Sequence, residues 1–137
     1  MNCSGREVYM GTNDDRIIII DDIPVVASMI EDTLQDAGFK NTHIYNNPLL
    51  ALKEIIGANR PAVIITDYNM PEMNGVELIE KVEQQYHGID AIIVTSDSVK
   101  GNEFSDKYPV LEKDSNFMDR LVDYVTEILK KQADEDI

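Results

Sequence analysis

Cysteine, tryptophan and basic residues are what this chain has least of. Its 137 residues include one cysteine, Cys3, no tryptophan, and 12 Lys and Arg against 26 Asp and Glu. A single thiol excludes an internal disulfide and fits a reducing compartment. A net charge of −14 leaves no basic footprint for nucleic acid and would be repelled by an anionic membrane surface. The excess is not confined to the ends, since residues 16–131 alone carry 20 acids and 11 bases. Long apolar runs are also missing. The first is only Ile17–Ile20, which is no signal-peptide core, and none approaches the roughly 20 residues of a bilayer span. The chain reads as a cytoplasmic protein with no membrane insertion and no nucleic-acid partner. At 137 residues, 43% of them apolar, it is long enough for one domain with a real core.

The chain is organised around residues 61–75, PAVIITDYNMPEMNG. Ala62 to Thr66 is a continuous apolar run, β-branched from Val63 onward, which is how a strand buried on both faces reads. It ends on Asp67, and the turn formers Asn69, Pro71, Asn74 and Gly75 follow. Further strands are expected at Ile17–Ile20, at 42–45, at 91–94 and, briefly, at Val110 and Leu111. Between them lie helical spacings: Val26, Met29, Ile30, Leu34 and Ala37; Leu49, Leu52 and Ile56; Val76, Ile79, Val82 and Tyr86; and finally Phe117, Leu121, Tyr124, Val125 and Ile128. The segment from Asp97 to Tyr108 accommodates one short helix at most. Residues 1–15 read as a loosely ordered extension, 16–131 as the domain and 132–137 as an acidic tail. Strands alternating with helices call for an α/β fold, a parallel sheet covered on both faces.

Four of these strands end in polar side chains: Asp21 and Asp22, Asp67, Thr95, and Lys113. Parallel strands bring such ends to one edge of the sheet, where ligands of open α/β sheets bind. Three carboxylates together repel one another unless one is protonated or a cation joins them. Oxygen ligands without a Cys/His cluster favour Mg²⁺ over zinc. Acids, a metal, a hydroxyl and a lysine together describe a phosphoryl-handling site. Taken singly, Asp22 could merely cap a helix, Thr95 could be an ordinary strand residue and Lys113 a solvated lysine. The joint arrangement carries the argument. His43 and His87 fit no site.

These residues resemble the receiver domain of two-component response regulators, the CheY-like family. The likeness runs over about 16–131 and rests on the acidic pair after the first strand, D-x-N-M-P-x-M-N-G from Asp67 to Gly75, Thr95-Ser96, and the lysine after the fifth strand. It implies a flavodoxin-like, doubly wound five-stranded sheet of order 2-1-3-4-5. It also implies roles. Asp67 accepts a phosphoryl group from a histidine kinase or phosphotransfer protein. Asp21, Asp22, Asp67 and the backbone carbonyl of Asn69 hold Mg²⁺, Asp21 mainly through water. Thr95 and Lys113 engage the phosphoryl group. Such a protein is a switch acting through a protein target, not an enzyme on outside substrates.

Three departures fall on the region around the fifth strand. Val110 stands where the family has an aromatic switch residue, and Tyr108 is out of register for that role. Asp114 replaces the usual proline after the lysine. The segment between Thr95 and Lys113 is about one helical turn short, a turn being ~3.6 residues, so the helix there is expected to be short or irregular. The competing reading is a phosphorylation-independent protein-binding module with this output face remodelled.

Overall fold

The computed structural model describes residues 15–96 and 107–135. Five strands, β1 (Ile17–Ile20), β2 (Thr42–Tyr45), β3 (Val63–Asp67), β4 (Ala91–Thr95) and β5 (Val110–Glu112), form one sheet of order β2-β1-β3-β4-β5. Every pairing is parallel. Four helices are described: α1 (Pro24–Asp36), α2 (Pro48–Ile56), α3 (Gly75–Glu83) and α4 (Phe117–Glu135). The expected fold class and strand order are both present. The helix expected between β4 and β5, the extension up to residue 14 and the end of the tail lie outside the described residues.

The apolar runs explain the layers. Successive strand side chains point to opposite faces, so Ile17, Ile19, Val63, Ile65, Ile92 and Val94 pack under α1 and α4. Ile18, Ile20, Ile64 and Ile93 pack under α2 and α3 instead. All residues of β1, β3 and β4 are buried, which is why these strands do not alternate in sequence. No described helix is long and apolar enough to cross a membrane.

Helix faces were the less legible part. In α2, Pro48, Ala51 and Ile55 are buried, whereas Leu49, Leu50 and Ile56 are exposed. The expected stripe of Leu49, Leu52 and Ile56 is therefore turned by about one residue, because PLLALKEII is apolar on almost every side. Tyr124, assigned to the buried stripe of the last helix, is 39% exposed, and Val122 and Leu129 lie inside with Leu121 and Val125. The helix also runs through the first part of the expected tail to Glu135. It is held there by Gln132, whose amide donates to the Ala62 carbonyl at 2.8 Å and to Asp90 at 2.6 Å.

Tyr108 is out of register with Val110, as expected. It lies two residues before it, ahead of β5, and packs into the same α2/α3 core. Its hydroxyl donates to Glu83 at 2.5 Å.

Candidate functional site

At the carboxyl edge, register alone brings the acids together. Ile20 pairs with Thr66, so the next residues, Asp21 and Asp67, stand level on neighbouring strands. Asp21 is 1% exposed and tied at three points. Its N–H donates to the Tyr45 carbonyl at 3.1 Å, its carbonyl accepts from Asn46 Nδ2 at 2.8 Å, and its Oδ1 accepts from the Ile23 N–H at 2.9 Å. The other carboxylate oxygen, Oδ2, is buried and accepts no hydrogen bond. Ligand oxygens of Asp21, Asp22 and Asp67 all lie within 4.8 Å of one another. A buried oxygen with no hydrogen bond and only a 3.5 Å ion pair to Lys113 Nζ, among three carboxylates, suits a hard divalent cation. Asp22 is not a helix cap, since the N-cap of α1 is Ile23 and no side chain caps it.

Lys113 faces the trio. Its N–H closes the last rung of the sheet onto the Thr95 carbonyl at 2.9 Å. Its side chain reaches over β4, placing Nζ 3.2 Å from Asp67 Oδ1 and 3.5 Å from Asp21 Oδ2. It is no solvated lysine, for its side chain is only 22% exposed. Asp67 itself is 7% exposed, and its pKa is pushed up to about 6. Burial is the largest cause; Lys113 pulls the value back, while Asp21 and Asp22 push it further up. Thr95, 1% exposed, ends the strand beside Asp67, which pairs with Val94. Asn69 is exposed on the loop after β3 and lines a shallow groove with Tyr68, Met70, Pro71 and Asn74.

That loop is tightly built. Tyr68 donates its N–H to the Val94 carbonyl at 2.8 Å, and Gly75 donates to the Tyr68 carbonyl at 2.9 Å. Asn74 and Glu77 cap α3 reciprocally. Glu72 sits at φ +73°, in the left-handed region that costs an L-residue about 1–2 kcal/mol. Glu72→Gly should therefore raise stability by about 0.5–1 kcal/mol, part of the relief being offset by glycine's larger unfolded-state entropy. A urea midpoint that falls in this variant would contradict the strain.

The structure thus gathers Asp21, Asp22, Asp67 and Lys113 around one point, with Thr95 on the adjoining strand and Asn69 beyond on the loop. Sequence reasoning passed over Asn46. The N-cap of α2 is Asn47, and Asn46, just before it, anchors the Asp21 carbonyl. Only its position just after a strand beside β1 hinted at that.

Comparison with known proteins agrees with this geometry. The model of the response regulator receiver domain matches residues 17–105. The chain is 32% identical over 87 residues to a chemotaxis protein CheY homolog of Campylobacter jejuni, covering 62% of this chain and 67% of that one. It is 29% identical over 87 residues to CheY1 of Helicobacter pylori, covering 62% and 70%. Among solved structures, a CheY-like receiver domain protein of Methanospirillum hungatei superposes with a TM-score of 0.76 at 26% identity, over 88% of this chain and 98% of that one. A response regulator of Thermotoga maritima, solved in complex with Mg(2+)-BeF, gives 0.75 at 26% identity over 84% and 99%.

Proposed function

The chain belongs to the response regulator receiver domain family, and from that membership we propose that Asp67 accepts a phosphoryl group in a Mg²⁺-dependent step. The donor is a histidine kinase or phosphotransfer protein, and the phosphorylated chain signals by binding a protein target. The observation that carries the reading is Lys113 Nζ, 3.2 Å from Asp67 Oδ1 and 3.5 Å from Asp21 Oδ2, opposite three clustered carboxylates.

In this reading a carboxylate oxygen of Asp67 attacks phosphorus, the phosphorus–nitrogen bond of phosphohistidine breaks, and the imidazole leaves and takes up a proton. Asp21, Asp22, Asp67 and the Asn69 carbonyl are the residues that hold Mg²⁺, which supplies charge neutralisation for the transferring oxygens. Lys113 orients the acceptor and offsets charge that builds on the phosphoryl oxygens. Thr95 donates its hydroxyl to the product. The new charge biases an equilibrium between two surface shapes. With Val110 in place of an aromatic and Tyr108 held by Glu83, signalling passes without an aromatic rotamer switch at β5.

The test is incubation with Mg²⁺ and acetyl phosphate followed by intact-mass spectrometry. One added phosphoryl group is expected, absent with EDTA and absent in Asp67→Ala. No gain in the wild type, with Mg²⁺ bound, would favour a phosphorylation-independent binding module.

A further inference from the structure

One arginine braces the chain on both sides of the site's lysine. Arg120 lies in the first turn of α4, and its Nη2 donates to the Glu112 carbonyl at 3.2 Å and to Asp114 Oδ2 at 2.9 Å. Those are the two neighbours of Lys113. Asp114 is held further by its own turn. Its N–H donates to the Glu112 carbonyl at 2.8 Å, its Oδ1 accepts from the Asn116 N–H at 3.0 Å, and its carbonyl accepts from the Phe117 N–H at 3.2 Å.

We propose that Arg120 is a positioning residue for Lys113, fixing the backbone from which Nζ reaches Asp67 and Asp21 and thereby setting the rate of phosphoryl acceptance. The inference rests on the reading of Asp67 as phosphoryl acceptor. Lysine is a flexible four-carbon arm, so its head is only as well placed as its Cα. A proline at 114 would stiffen this connection by fixing φ. Asp114 cannot, and the cross-brace from α4 takes that part. The Arg120–Asp114 pair is about half exposed, 43% and 44%, and pairs of that kind add little to stability. Its value is therefore geometric, and it can be removed without unfolding the domain.

The experiment measures the rate of phosphorylation by acetyl phosphate, a donor too small to need a docking surface, on the full chain with Mg²⁺. Arg120→Met is expected to slow the reaction about three- to tenfold, a modest misplacement of a reacting group being enough for that. Mg²⁺ affinity by calorimetry and the thermal midpoint should stay close to wild type. Arg120→Lys keeps the charge but not the longer reach of Nη2, the one atom from which both bonds come, and should be as slow as Arg120→Met. Asp114→Asn keeps the turn and loses the ion pair, giving a smaller loss in the same direction. The decisive comparison is Lys113→Ala with and without Arg120→Met. If Arg120 acts through Lys113, the second substitution costs nothing more. An Arg120→Met rate equal to wild type, or a loss that persists in the Lys113→Ala background, overturns the proposal alone. Failure of the wild type to accept phosphoryl at all overturns the acceptor reading and the proposal with it.

Discussion

Metal-free protein carrying Asp67→Asn should be more stable than wild type at pH 7.5 by about 2–3 kcal/mol, while accepting no phosphoryl group. Asp67 has a folded pKa of about 6 against 3.8 for the ordinary group. The folded state therefore binds the Asp67 proton more tightly than the unfolded chain does. The stabilisation from that proton is fully present below about pH 4 and is lost as pH rises through 6, a difference of about 3 kcal/mol at 1.36 kcal/mol per unit. An amide at 67 stays neutral and keeps that stability at every pH. Urea unfolding of both proteins at pH 4 and pH 7.5 in EDTA tests this directly: the gap should be small at the lower pH and open at the higher. Added Mg²⁺ should narrow it by stabilising the wild type, since a ligand that binds only the folded state stabilises it by mass action. A gap that is equal at both pH values would mean that the three carboxylates do not burden the fold.

Much of this site could be read from the sequence because strand ends are set by short-range chemistry. Runs of four β-branched residues at Ile17–Ile20, Val63–Thr66 and Ile92–Thr95 can be buried on both faces only as central strands, and parallel central strands must deliver their last residues to one edge. Asp21, Asp67 and Thr95 follow directly. Lys113 is less legible, since β5 has only three residues and a lysine after so short a strand reads equally as a solvated one. Long-range polar contacts left no local trace. Nothing near Asn46 says that its amide will meet the Asp21 carbonyl 25 positions away, and nothing near Arg120 says that it will reach back to residues 112 and 114. The inward faces of α2 and α4 failed for another reason. Where nearly every position is apolar, or where Tyr124 offers an apolar body with a polar tip, periodicity permits two faces and packing chooses one.

Gly75 shows how such packing bears on the chemistry. It is the first residue of α3, where alanine is a better helix former than glycine by about 1 kcal/mol, so local propensity alone argues that Gly75→Ala should stabilise. The tertiary contact argues the reverse. A Cβ there would stand 2.5 Å from the Asp67 carbonyl oxygen, 3.3 Å from its carbon and 3.1 Å from Thr66 Cγ2. The nearest obstacle is the backbone of a buried strand and cannot swing aside as a surface side chain would. Overpacking of this kind costs about 1–3 kcal/mol, and relief requires α3 and the end of β3 to part. We expect a net loss of stability of that order, together with a fall in phosphorylation rate of about tenfold or more, since the segment displaced carries Asp67 and displacements near 1 Å can cost ~100-fold. Gly57→Ala is the control: it lies just past α2, meets only the Lys53 carbonyl at 3.2 Å, and should leave the rate unchanged. If Gly75→Ala matched wild type in urea midpoint and in rate, the close approach of α3 to β3 would not be what fixes Asp67 in place. If stability fell and the rate held, the contact would support the fold without aiming the carboxylate. Loss of both, with the control silent, would place the aiming of Asp67 in the absence of a single methyl group eight residues further along the chain.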